Sequence, residues 1–277
     1  MNINDLVKYN YKSQFLIREV SKSIIFKYGV VKELSLDNSF GERVNFSLVI
    51  PNESGFHPCI EFIHWLESEA ENSNKSQFLP YAKELAKEGI ISILPDAFWS
   101  TTPEEFKKNP KLWWKTEYEF DKSLCVKQII NLLRIHDYIL SLDDVDKDRI
   151  ALVGHDFGAM FGAILLNFIK NYKAFVLIAA TTNIHHWFKF GSDLSDEGLS
   201  LYRKQMSVFD PINYINMISP SPILMQFALD DFYVPKEIAE DFYSRAKHPK
   251  ELLWYHAKHG MIEQTFDDMK KWILKNI

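Results

Sequence analysis

Between Cys59 and Asn276 short apolar runs alternate with segments of helical periodicity, and this alternation limits the possible folds more than any other feature. The apolar runs are Cys59 to His64, Gly89 to Leu94, Ile150 to Val153, Lys173 to Ala180, Pro222 to Leu229 and Glu251 to His256. Helical patterns fall at about residues 77–87, 117–142, 157–168, 236–246 and 264–276. Runs that are apolar at successive positions, rather than at every second one, suit strands covered on both faces. Strand–helix alternation kept up over such a length predicts an α/β fold, with a mostly parallel central sheet and helices on both faces. Ahead of it, Val30 to Leu36 and Arg43 to Val49 alternate in polarity around Asp37-Asn38-Ser39-Phe40-Gly41. That pattern predicts an antiparallel N-terminal hairpin at the sheet edge. Residues 1–27 read as an irregular or helical lead-in, with Phe15, Ile17, Val20, Ile24 and Ile25 as packing residues. The 277 residues suffice for one large domain spanning 1–277, in which 181–219 is a short, mostly non-periodic, lid-like excursion.

A net charge of −5 argues against a nucleic-acid partner, which would favour a basic chain. Two distant cysteines, Cys59 and Cys125, suit reduced thiols rather than a disulfide framework. Met1 to Phe26 lacks the apolar centre of a signal peptide, and no uncharged apolar run approaches the roughly 20 residues of a membrane helix. The expectation is a soluble cytoplasmic protein, monomer or homodimer, acting on a small molecule, with no membrane contact and no cofactor. The adjacent His185 and His186 do not have a spacing that would put both rings on one ion, so no metal is expected. The basic run Lys107 to Lys115 reads as solvated surface.

One junction carries chemistry. Ile150 to Val153 ends at Gly154-His155-Asp156-Phe157-Gly158, and an apolar helix pattern follows through Phe168. A strand, a sharp glycine-flanked turn and a helix thrust the central side chain out above the sheet. Serine is usual at that position, and here it is Asp156. The plain alternative is an aspartate capping a helix N-terminus. Two further residues follow predicted strands. Asp231 lies in Asp230-Asp231-Phe232-Tyr233-Val234-Pro235, with Asp230 its competitor, and His259 lies in Lys258-His259-Gly260. In open α/β sheets, sites gather beyond the carboxyl ends of the strands, where all three would sit.

The junction resembles the nucleophile elbow of the α/β-hydrolase fold, whose triad runs nucleophile, acid, histidine along the chain. Gly-His-Asp-Phe-Gly is most similar to the aspartate-nucleophile branch, the haloalkane dehalogenases and epoxide hydrolases. The overall layout, with its leading hairpin, little cap and Asp-x-x-Val-Pro acid loop, resembles the dienelactone-hydrolase-like group, which normally uses cysteine or serine. The resemblance implies Asp156 as nucleophile, His259 as the base that activates water and Asp231 as the acid that orients it. It implies an oxyanion hole made by the N–H of Phe157 and that of Trp65 or Leu66. There the family usually has His-Gly; this chain has His64-Trp65, and His64 is expected to order the loop. A dehalogenase would usually carry tryptophan at 157, and an epoxide hydrolase a larger cap with two tyrosines. Tyr118, Tyr202 and Tyr214 are weak candidates for such proton donors. Aromatic stretches from Phe98 to Trp114 and from His185 to Tyr202 are expected to wall the pocket, with His155, His185, Trp187 and Trp99 as substrate contacts.

A carboxylate attacking a carboxylic ester gives an unfavourable anhydride, whereas attack on a carbon bearing halide or on an epoxide carbon gives an ordinary ester that activated water can hydrolyse. Three readings follow. Asp156 attacks carbon–halogen or epoxide carbon; or it serves as general base in an ester or lactone hydrolase; or the chain is a non-catalytic descendant that binds a ligand.

Overall fold

A computed structural model describes residues 2–10, 14–38, 40–66, 74–100, 116–185, 194–218 and 220–277. Its strands are β1 (Arg18–Glu19), β2 (Ile24–Phe26), β3 (Gly29–Asp37), β4 (Arg43–Pro51), β5 (His57–Ile63), β6 (Ile91–Pro95), β7 (Val145–His155), β8 (Tyr172–Ile178), β9 (Ile223–Ala228) and β10 (Lys250–Tyr255). Its α-helices are α1 (Ile3–Leu6), α2 (Leu79–Leu85), α3 (Tyr118–Ser141), α4 (Phe157–Leu165), α5 (Asp196–Met206), α6 (Lys236–Arg245) and α7 (Glu263–Asn276).

All ten strands join one sheet in the order β1-β3-β4-β6-β5-β7-β8-β9-β10, with β2 also paired to β3. Strands β5 to β10 run parallel, while β3 and β4 form the expected hairpin and β4 joins β6 antiparallel. Alternate residues of a parallel strand reach opposite faces, and β7 and β8 feed two cores in that way. Leu152, Phe175 and Leu177 join the layer with α3, α4, α5 and α6. Ala151, Val153, Ala174, Val176 and Ile178 join the layer with α2 and α7. Among the described residues no helix is long and apolar enough to cross a membrane.

The chain leaves β5 for β6 on one side and then returns to place β7 on the other. The sheet therefore switches direction between β5 and β7, which is where such sheets open a crevice at their carboxyl ends.

The lead-in differs from the expectation. Val20 is 58% exposed and Ile25 84%, because β1 and β2 are short additions to the hairpin edge, and of β2 it is Phe26 that packs on the core. Phe15 does pack as expected, edge-on to Tyr138 at 5.5 Å with the Arg134 guanidinium 4.0 Å over its ring, and α1 tucks in ahead of it through buried Ile3. The excursion 181–219 also holds more structure than its sequence pattern suggests. Helix α5 begins at Ser195, whose side chain accepts from Gly198 N–H at 3.2 Å, and buries Tyr202 and Met206 one turn apart. The helix expected over 77–87 is split into a 3₁₀ turn (Asn74–Phe78), α2 and a second 3₁₀ turn (Ala86–Glu88).

Candidate active site

Strand β7 runs into α4 with Asp156 alone between them. Its backbone takes φ 55° and ψ −116°, a conformation that costs a non-glycine residue of order 1–3 kcal/mol. Asp156 N–H donates to Ile178 O at 2.9 Å, and Asp156 O accepts from Met160 N–H at 3.0 Å, so strand pairing and helix start both hold the turn. The flanking glycines are steric requirements. A Cβ at Gly154 would lie 2.5 Å from Gly158 O, and one at Gly158 would overlap the Ile63 carbonyl at the end of β5. Helix and strand can approach this closely only without those side chains.

The Asp156 side chain is buried between two elements. Its Oδ2 accepts from Leu66 N–H at 3.3 Å, in the loop after β5. Its Oδ1 faces His259 Nε2 at 3.8 Å. Behind the ring, His259 Nδ1–H donates to Asp231 Oδ2 at 2.8 Å. The other oxygen of Asp231 accepts from Tyr233 N–H at 2.8 Å and Val234 N–H at 3.1 Å, which fixes the carboxylate after β9. Asp230 has no part in this pairing and its side chain is exposed. Asp156, His259 and Asp231 thus come from the ends of β7, β10 and β9 and meet in one row.

Burial raises the pKa of Asp156, opposed by its hydrogen bond and charge interaction with His259 and by Leu66 N–H. Burial acts downward on His259, but hydrogen bonds and charge from Asp156 and Asp231 outweigh it and lift the imidazole to about 9. At neutral pH the His259 ring is therefore held in its charged form between the two acidic side chains.

The other expected site residues fall into different positions. Phe157 opens α4 and is buried in the core. Trp65 N–H donates to Gln77 Oε1 at 3.1 Å, so the amide that reaches Asp156 from this loop is that of Leu66. His64 orders the loop: its Nδ1 is 2.7 Å from Trp65 O and its Nε2 is 2.7 Å from Ser100 Oγ. Trp99 is fully buried, stacks on Phe157 at 5.2 Å and donates to His64 O at 3.1 Å, which is a packing and anchoring position. His155 is also fully buried and reaches other protein groups. His185 lies after β8, 3.8 Å from Asp210 Oδ1. Trp187, like His186, Phe106, Trp113 and Trp114, lies outside the described residues.

Of the tyrosines, Tyr202 is buried and donates to Asp121 Oδ2 at 2.7 Å, and Tyr214 donates to Val208 O. Burial raises the pKa of both, and nearby carboxylates add to it. Their hydroxyl protons are committed to the fold. Sequence reasoning missed Gln77, whose amide touches both Trp65 and His155.

No protein-family model matches the chain, and no curated protein matches it. Solved structures do. Acetyl xylan esterase 1 from Thermoanaerobacterium sp. JW/SL YS485 is 13% identical with a TM-score of 0.73, over 99% of this chain and 98% of that one. Acetyl xylan esterase from Paenibacillus sp. R4 is 14% identical with a TM-score of 0.72, over 95% of this chain and 90% of that one. A cold-adapted esterase from an Arctic intertidal metagenomic library is 15% identical with a TM-score of 0.68, over 94% of this chain and 99% of that one. At this identity the likeness speaks to architecture. With the parallel sheet, the switch point between β5 and β7 and the tight turn at Asp156, it gives this chain the α/β-hydrolase fold.

Proposed function

We propose that the chain is a hydrolase in which Asp156 attacks an electrophilic carbon, either one bearing halide or one of an epoxide. Asp156 Oδ1 forms a bond to that carbon while the carbon–halogen or carbon–oxygen bond breaks and the leaving group takes the electron pair. His259 gives up its proton, to the alkoxide of an opened epoxide or to solvent when the leaving group is halide, and the neutral imidazole then removes a proton from water, which adds to the Asp156 carbonyl carbon. The tetrahedral adduct collapses as its bond to the alcohol oxygen breaks; His259 gives its proton to that oxygen and takes up the one on the new carboxyl, which restores the carboxylate and the imidazolium. Asp231 keeps the imidazole oriented and balances its charge.

The observation that carries this reading is how the Asp156 oxygens are divided. Oδ2 is already held by Leu66 N–H, while Oδ1 is turned to His259. In an aspartyl ester, Oδ2 is the carbonyl oxygen that gains charge when water adds, and a donor is in place for it. Phe157 N–H, at the start of α4, is the proposed second donor.

The second reading is an ester or lactone hydrolase with Asp156 as general base, favoured by the esterases among the similar solved structures. It requires the substrate carbonyl to displace Asp156 from Leu66 N–H. A single-turnover reaction in heavy-oxygen water on haloalkanes, epoxides and lactones separates the two. Heavy oxygen in the Asp156 peptide by mass spectrometry is the expected result. Label only in product assigns Asp156 to general-base work. Absence of turnover on every class, with a tight small-molecule ligand by thermal shift, makes the chain a binding protein and overturns the proposal.

A further inference from the structure

Gln77, on the 3₁₀ turn Asn74–Phe78, sits where three segments of the site meet. Its Oε1 accepts from Trp65 N–H at 3.1 Å, and its Nε2 is 2.6 Å from His155 Nδ1. His155 Nε2 is 3.1 Å from the carbonyl oxygen of His259. A carbonyl can only accept, so His155 Nε2 carries the proton and Nδ1 presents its lone pair to the Gln77 amide. Every group in the chain then has one role, and the roles agree. Burial, and then the nearness of charged His259, hold the His155 pKa well below its ordinary value, so the ring is uncharged. The Trp65 indole closes the assembly. It stacks on His155 at 4.8 Å with the planes 8° apart, and it occupies the space at Gly260, where a Cβ would lie 2.8 Å from its Cη2. This accounts for tryptophan after His64.

We infer that Gln77 and His155 are positioning residues, a hydrogen-bonded strut that sets Leu66 N–H and the His259 ring at their places on either side of Asp156. The inference rests on the function proposed above. Gln77 holds Trp65 N–H and so turns the next amide, that of Leu66, to Asp156 Oδ2. His155 holds the main chain of His259, whose Nε2 faces Asp156 Oδ1. An amide is required at 77 because one side chain must accept from Trp65 and donate to His155. A glutamate there has no proton for Nδ1 and would draw one onto the ring, setting a second cation beside His259.

The test uses Gln77→Met, which has similar length and makes neither bond, and Gln77→Glu, which keeps the bond to Trp65. Nitrogen NMR of the imidazoles reports the His155 tautomer and the His259 titration midpoint, and kcat and KM are measured on the substrate found by the labelling screen. In the parent, His155 is expected as the neutral Nε2–H form. Both variants should lose about 10- to 100-fold in kcat with KM within about threefold, the cost of a misplacement of an ångström or less. Gln77→Met should lower the His259 midpoint, and Gln77→Glu should protonate His155. An Nδ1–H tautomer in the parent overturns the inference. So does a folded Gln77→Met with kcat and the His259 midpoint unchanged. If Gln77→Met does not fold, the same criteria apply to Gln77→Glu: an unprotonated His155 and an unchanged kcat there reject the strut. If the parent turns over no substrate, the proposed function fails on its own, and the NMR readings alone decide the strut.

Discussion

Replacing Asp156 with Asn removes one charge and almost no volume, and its effect on His259 can be worked out in advance. Asp156 Oδ1 is 3.8 Å from His259 Nε2. At an effective dielectric of about 20, two unit charges at that distance attract by about 4 kcal/mol. At about 1.4 kcal/mol per pKa unit, this is worth roughly three units of imidazole pKa. Burial pulls His259 down while Asp156 and Asp231 raise it to about 9, so Asp156→Asn should return its midpoint to 6.5 or below. The stability curve should change with it. A folded-state pKa above the unfolded value gives stability that is complete below pH 6.5 and is lost as pH rises through about 9. For the parent that contribution is about 3 kcal/mol. Asp156→Asn should abolish this alkaline slope. It should also relieve the cost of burying an ionised carboxylate, and because the two effects oppose, melting at pH near 7 should stay close to the parent's. The assay is an NMR titration of His259, assigned with a His259→Gln sample, beside thermal unfolding from about pH 6 to 10. Activity should vanish in the same variant. A His259 midpoint that stays near 9 in Asp156→Asn refutes the reasoning, since the imidazole would then owe its charge to Asp231 alone.

Asp231→Asn leaves Nδ1–H of His259 without a charged acceptor and favours the wrong tautomer; kcat should fall by about 10²–10⁴ with folding retained, measured by steady-state kinetics and far-UV circular dichroism. Gly158→Ala drives a methyl into the Ile63 carbonyl and should destabilise by more than about 4 kcal/mol or prevent folding, read from soluble yield and denaturant unfolding. Tyr202→Phe should keep kcat within about twofold while lowering stability by about 1–3 kcal/mol, because its hydroxyl serves buried Asp121 rather than a substrate. A large loss of kcat in a stable Tyr202→Phe would return this tyrosine to the site.

The parts of the fold that were legible are those where one residue pattern has one physical solution. Runs such as Leu152-Val153 and Val176-Leu177 must be covered on both sides, which fixes a parallel sheet between two helical layers. The turn at Asp156 was legible because two glycines at that spacing answer a steric demand at the strand–helix crossing. Helix α5 was readable in principle, since Ser195 followed by Asp196 and Glu197 is a helix start, but the surrounding excursion hid its short apolar stripe. Ile25 and Val20 misled because an apolar side chain carries no mark of whether anything will cover it. Gln77 could not be found from sequence. A glutamine on a polar 3₁₀ turn is commonplace, and its role comes from partners 12 and 78 positions away. Trp99 and Tyr202 belong to the same class, since burial among distant neighbours decided their part.

The 3.8 Å gap between Asp156 and His259 has one more consequence under the proposed chemistry. Esterified Asp156 bears no charge, much as asparagine would. Before alkylation the imidazole grips its proton and is useless for activating water; afterwards half of what secured that proton is gone. Spending the nucleophile therefore arms the base. Such an interlock orders the two half-reactions without any moving part, and it keeps the imidazole beside the resting carboxylate disarmed until there is an ester to cleave.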